Sequence, residues 1–251
     1  MISYEFPLNE RVRTLLRLED LYQKVEYFAA RQDAQEHHAA IVTLFEILDA
    51  AGRADLKSEL MQELERQRHN LEALRGNPAI APDALDSVLG EIDRAVASLF
   101  QASGKTGQEL RENEWLMSIR QRIGIPGGVC EFDLPSYHYW LNQGAAVRRA
   151  DLGRWLEPFL PLKDGIRIVL NLLRESGKTS EVKAPQGVFQ QMMGGRLAQM
   201  LKVSLPCSYP CVPEVSANKY AINIRFTQAS GGDRGKTLEA DVAFTLTFCN
   251  L

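Results

Sequence analysis

The spacing of apolar residues changes period along this chain, and that change bounds what it can fold into. Val12, Leu15, Leu16, Tyr22, Val25 and Phe28 recur at helical steps behind Asn9, which is placed to cap a first helix. Ile41, Leu44, Phe45 and Leu48 mark a second helix, with Gly52 after its end. Leu60, Leu64, Leu71 and Leu74, with Gln67 on the same stripe, mark a third that stops at Gly76-Asn77-Pro78. Leu85, Leu89, Ile92, Val96 and Leu99 mark a fourth, capped near Asp83. A further helix runs through 108–123 and ends at Gly124, because Pro126 cannot continue it. Such stripes need one another to be buried, which predicts an antiparallel helical bundle over residues 8–124.

From about residue 180, alternation takes over in EVKAPQGVFQQMM, LKVSL, YAINIRFT and EADVAFTLTF, bounded by Gly, Pro, Asn and Ser. The link 229–237, ASGGDRGKT, makes the last two runs a hairpin candidate. VCEFDLP, 129–135, reads as another strand, with helices at PSYHYWL and DGIRIVLNLLRES and a short alternating start, ISYEF. The fold class expected is α+β. An N-terminal antiparallel helical bundle, 8–124, is joined to a mainly antiparallel strand-rich domain with embedded helices, formed by 1–7 and 125–251.

Of the 251 residues, 45% are hydrophobic, enough for a substantial core. No run of ~18 uninterrupted apolar residues is present, and the N-terminus lacks the basic-then-apolar order of a signal peptide. A soluble, cytoplasmic protein with no membrane partner is expected. The net charge of −3 is divided: residues 160–251 carry 11 Lys and Arg against 7 Asp and Glu, and residues 1–159 carry 18 against 25. The C-terminal part is therefore the better dock for an acidic ligand. Neither part is basic enough, or interleaved with aromatics, to suggest nucleic acid.

The motifs that resemble enzyme machinery do not meet its spacing rules. Ser103–Thr106 and Ser176–Thr179 both read SGKT, but a P-loop needs a glycine where Leu99 and Leu172 stand, and each follows a helix. Cys207 and Cys211 lie one residue too far apart for a CxxC zinc motif and have no downstream pair, so free thiols and no metal are expected. Cys130, Asp133 and His138 are close in sequence, yet a strand at VCEFDLP sends Cys130 and Asp133 to opposite faces. Cys130 is then a small buried residue, Asp133 or Ser136 caps the helix carrying His138, and Pro126-Gly127-Gly128 is a joint that redirects the chain. Glu59, Glu63, Glu65 and Glu72, mixed with Lys57, Arg66 and Arg68, read as a solvated helix face. No catalytic residue, metal or cofactor is expected.

The basic residues are more informative. Arg13 and Arg17, at i and i+4, project from one edge of the first helix with no acid between Arg11 and Arg17. Cations near a helix N-terminus oppose its dipole at roughly 0.3–1 kcal/mol each, which suggests another use. Arg120 and Arg122 sit just before the joint, and Lys219 and Arg225, read in one strand at even separation, share a face.

The start PLNERVRTLLRLE, the segment from LREN through IRQRIGIPGGVCEFDLPSYHYWL, and the late strand INIRF together resemble the ZapD-type Z-ring-associated cell-division proteins of bacteria. The resemblance spans nearly the whole chain and is weakest over 77–108 and QQMMGGRLAQM. It implies a homodimer with a helical and a strand-rich domain, without enzymatic activity, acting at the mid-cell division site. Its partner would be the C-terminal tail of FtsZ, whose filaments it bundles. Matching motifs carry tail binding to Arg13, Arg17, Arg120, Arg122 and Arg225, with Arg53 and His138 beside them. Lys219, through Arg225, completes the candidate set. Two other classes stay open on the residues alone: a metal-independent hydrolase using His138, and a polyanion-binding adaptor using the basic strands.

Overall fold

The computed structural model describes residues 1–52, 55–102, 104–229 and 235–251. It is of the α+β class, a helical region followed by antiparallel sheets. By internal contacts the residues group into two compact units, Met1–Leu16 with Leu170–Leu251, and Arg17–Val169. The sequence reading and this grouping place residues 8–16 and 125–169 differently.

The first unit is built from both chain ends. Strands β1 (Ile2–Pro7), β2 (Lys178–Ala184), β4 (Met200–Leu205) and β7 (Val242–Cys249) form one sheet in the order β1-β4-β7-β2. Strands β3 (Val188–Met192), β5 (Cys211–Ala217) and β6 (Ala221–Gln228) form another in the order β3-β6-β5, and every pairing is antiparallel. Leu201, Val203, Ile222, Ile224, Phe226, Phe244 and Leu246 make its core. The alternation seen in the sequence is clearest in β6, whose Ile222, Ile224 and Phe226 face the core, whereas β4 is buried on both faces. The edge strand β1 is held by its ladder and by Arg174, whose Nε and Nη2 donate to the two Glu5 oxygens at 2.8 and 2.9 Å.

The second unit is helical. Its boundaries fall within α1 (Glu10–Ala29) and α9 (Leu160–Glu175), and between them lie α2 (Ala34–Ala51), α3 (Leu56–Glu72), α4 (Pro82–Gln101), α5 (Gln108–Glu112), α6 (Glu114–Ile123), α7 (Pro135–Leu141) and α8 (Ala145–Leu156). Leu15, Val25, Ile41, Leu44, Leu48, Leu60, Leu64, Ile92 and Leu99 are buried as their stripes require. Asn9 caps α1 by accepting from Val12 N at 2.8 Å, and Asp33 with Glu36 forms a capping box on α2. The Tyr22 hydroxyl donates to Phe159 O, and burial pushes its ionisation well above the ordinary tyrosine range.

Several local expectations are corrected. The last two runs are not a hairpin: β6 and β7 belong to different sheets, and residues 230–234 of their link lie outside the described set. EVKAPQGVFQQMM is not one strand, because Pro185–Gly187 turns with Gln186 at φ 50°, and β2 and β3 join different sheets. Helix α4 begins at Pro82 behind Ala81, without a side-chain cap from Asp83. Glu63 is buried rather than solvated, accepting from Gln67 Nε2 at 2.7 Å and Arg66 Nη2 at 2.5 Å. The SGKT segments follow α4 and α9, and neither leads from a strand into a helix; Ser103 is outside the described residues.

The helical unit also buries a cation without an acid. Arg148 on α8 is 5% exposed. Its Nε donates to His37 Nδ1 at 2.8 Å, Nη2 to Gln32 O at 2.7 Å, and Nη1 to Leu141 O at 2.7 Å and to Gln143 O. Since Nδ1 accepts, His37 is neutral, and its Nε2–H donates to Arg31 O at 2.9 Å. Burial, foremost, lowers the His37 pKa from 6.5, reinforced by Arg148 and Arg149 and opposed by the Arg31 carbonyl and Glu36. Burial lowers that of His38 as well, whose Nδ1 lies 2.7 Å from the Tyr137 hydroxyl.

Arg148→Met should destabilise the chain by on the order of 3 kcal/mol in denaturant unfolding, because three carbonyls and an imidazole lose their donor. The histidines give a second expectation. The unfolded rings take protons at higher pH than the folded ones, so their stabilisation is complete above 6.5 and is lost as pH falls below it. The melting temperature should therefore fall from about pH 7 to pH 5.5, and a His37→Gln/His38→Gln chain should lose that slope.

Candidate functional site

Helix α6 presents the first two candidate cations. Asn113 Oδ1 accepts from Leu116 N at 3.0 Å to start the helix, and Leu116 and Ile119 bury one face. Arg120 and Arg122 occupy the last turn, where the negative end of the helix dipole favours cations. Arg120 Nη2 lies 2.5 Å from Asp49 Oδ1 of α2, and Arg122 Nη1 lies 3.3 Å from Asp133 Oδ1.

The segment after α6 is a chain of turns, not the expected strand. Gly128 N donates to Ile125 O, Cys130 N to Gly127 O, and both Asp133 N and Leu134 N to Cys130 O. Gly127 sits at φ 72°, and a Cβ on Gly128 would lie 2.5 Å from Arg122 O, so both positions require glycine. The joint reading holds at these glycines, but it leads into turns and then α7. Local bonds capture the backbone groups that a strand would offer to a neighbour. Phe132 is consequently 81% exposed, and Cys130 is exposed rather than packed. Neither Asp133 nor Ser136 caps α7: Asp133 takes Arg122, and Ser136 Oγ accepts from Trp115 Nε1.

His138 is exposed on α7, its Nδ1 4.0 Å from Glu131 Oε2 and its Nε2 3.3 Å from Asn142 Nδ2. No hydrogen bond joins it to Cys130 among the described residues. Arg122 and His138 thus each meet a carboxylate of the same turn, Asp133 and Glu131.

On α1, Arg13 Nε lies 3.0 Å from Glu10 Oε1, an ion pair whose angle is not that of a hydrogen bond. Arg17, one turn on, is exposed and forms no ion pair among the described residues. The sequence reading underused Glu10, which in the first turn offsets the dipole cost assigned to Arg13. Arg53 lies outside the described residues.

In the strand-built unit, Arg225 stands on β6 between Val188 of β3 and Glu214 of β5. Its Nη2 and Nε lie 2.5 and 3.2 Å from Glu214 Oε2. Lys219 does not share that strand. β6 starts at Ala221, and Asn218 Oδ1 makes the preceding turn by accepting from Tyr220 N and Ala221 N. Lys219 Nζ instead lies 4.8 Å from the Tyr220 ring centroid.

Arg13, Lys219 and Arg225 therefore belong to one unit, and Arg17, Arg120, Arg122 and His138 to the other. What the sequence reading missed is the internal carboxylates. Glu10 was legible as an i, i+3 partner of Arg13. Asp49 and Glu214 come from tertiary packing and strand register and leave no local signal. Chemically, exposed guanidinium groups already gripping carboxylates are sites for exchange with a carboxylate from outside. Among the described residues no three His, Cys, Asp or Glu group to hold a metal ion, the four cysteines are free thiols, and no helix is long and apolar enough to cross a membrane.

The comparisons with known proteins agree with the motifs. The family model described as ZapD, cell division protein, matches residues 16–225. The cell division protein ZapD of Dechloromonas aromatica (strain RCB) is 56% identical, and that of Azoarcus sp. (strain BH72) 55% identical, each over 100% of both chains. This chain belongs to the ZapD family of cell division proteins.

Proposed function

We propose that the protein is a non-enzymatic division factor that binds the C-terminal tail of FtsZ through its exposed arginines and, as a homodimer, bundles FtsZ filaments to stabilise the Z ring. Its site of action is the cytoplasm at mid-cell. The observation that carries the reading is chemical: Arg13, Arg120, Arg122 and Arg225 each rest beside a carboxylate, at a surface where the pair can open. A tail mixing carboxylates with apolar side chains suits them, since the guanidinium fork grips a carboxylate while its stem covers apolar surface. A hydrolase centred on His138 would need a nucleophile within reach of the ring, and the ring's partners are Glu131 and Asn142.

The test is a pull-down with an FtsZ tail peptide, alongside full-length FtsZ and FtsZ lacking its tail. Peptide and full-length FtsZ should be retained and the truncated form lost. Arg17→Glu should weaken the peptide by more than about 2 kcal/mol while circular dichroism stays unchanged, because carboxylates then face one another. Unchanged affinity in the folded variant removes Arg17 from the site.

Bundling adds a requirement that tail binding does not. One tail-binding chain decorates a filament, whereas a two-fold dimer presents its arginines twice and joins filaments once the second tail arrives at a local concentration of roughly millimolar. A variant made monomeric by substitutions outside the arginines should keep its affinity for the isolated tail peptide and lose bundling in light scattering or sedimentation. A verified monomer that still bundles would mean a second FtsZ-binding surface on one chain.

A further inference from the structure

The small sheet of the strand-built unit buries one face, and its other face is open in the middle, between the buried Ala221 and Thr227 of β6. Ile222, Ile224 and Phe226 point into its core. Register places Val188, Arg225 and Glu214 side by side on the opposite face, with Gln190, Asn223 and Ser216 in the next row, and all six are exposed. Arg225 and Glu214 are the only charged side chains in these two rows. Both are accessible, at 58% and 51%, and both Arg225 contacts go to Glu214 Oε2.

We infer that Glu214 is an internal stand-in for the ligand carboxylate on Arg225, and that an incoming acidic, partly apolar peptide competes with it for the Nε/Nη2 edge of the guanidinium. This inference rests on the tail-binding reading above and adds a competing residue to it. A carboxylate reaching Arg225 cannot take the edge of the guanidinium that Glu214 already fills. After exchange Glu214 stays in the row of Val188 and Arg225, where Arg225 is the one cation, and it repels the newcomer. Glu214 therefore sets a threshold. Val188, beside Arg225, gives an incoming apolar group a contact that Glu214 cannot offer, so an acidic-apolar peptide displaces it where a simple carboxylate does not.

The test is a double-substitution cycle read by fluorescence anisotropy of a labelled FtsZ tail peptide. Glu214→Gln keeps the size of an exposed strand residue and should tighten binding by about two- to fivefold, the scale of one exposed ion pair. Arg225→Gln should weaken binding. In the Arg225→Gln background, Glu214→Gln should then have no effect. That last arm separates competition from the general attraction gained by removing any negative charge, which would persist without Arg225. If Glu214→Gln leaves affinity unchanged, or tightens it equally in both backgrounds, the inference is overturned while tail binding stands. If Arg225→Gln binds like the unsubstituted chain, Arg225 lies outside the site and the inference again falls alone. If the unsubstituted chain shows no saturable binding, the tail-binding reading falls and takes the inference with it.

Discussion

The helical unit buries a guanidinium, Arg148, that meets no carboxylate among the described residues. Arg148 is satisfied by dipoles: the carbonyls of Gln32, Leu141 and Gln143 and the neutral ring of His37. Leu141 is the last residue of α7, so its carbonyl adds the negative end of a helix to the set. These acceptors come from the entry to α2, the end of α7 and the turn before α8, and one planar cation fixes all three. Beside it the rings of Trp115, Tyr137, Trp140 and Trp155 lie within 5.6–6.0 Å of one another in successive pairs. Their packing seats α6 and α7 against the same neighbourhood.

Within the same unit, Arg120 owes its geometry to buried packing. Asp49 near the end of α2 meets Arg120 near the end of α6, and both helices are placed by buried contacts rather than by this exposed pair. An exposed ion pair is worth about 0–1 kcal/mol, too little to hold two helices together. The two kinds of arginine thus divide the work. Arg148, buried with each of its three side-chain nitrogens hydrogen-bonded, is structural. Arg120, Arg122 and Arg225 are solvent-accessible and each is paired with a carboxylate, and such pairs contribute little to stability.

The helices were legible because each carries its own code: Asn9 as a cap, the stripes of α2 to α4, and Gly124 before Pro126. The strands of the C-terminal half were legible as alternation, most clearly in β6, whose Ile222, Ile224 and Phe226 face the core. Pairing was not legible. ASGGDRGKT has hairpin chemistry, yet β7 finds its partners in β2 and β4. VCEFDLP alternates by coincidence, and the left-handed Gly127 with the crowded Gly128 commits it to turns before a ladder forms. Lys219 shows the same limit at one residue: even spacing from Arg225 means a shared face only if both lie in the strand, and Asn218 closes its turn after Lys219.

The same distinction explains which half of each ion pair could be read in advance. The arginines stand in contiguous motifs, so a resemblance reaches them directly. Their counter-ions are assigned by the fold: Asp49 is 71 residues from Arg120, and Glu214 meets Arg225 only because β5 pairs with β6 in one register. A shift of that register by one residue would send Glu214 to the buried face and leave Arg225 open. Motifs therefore locate the surface cations, whereas the carboxylates that pair with Arg120 and Arg225 are set by tertiary structure. The response of a basic site to its ligand follows from both, and charge counted along the sequence supplies only the first.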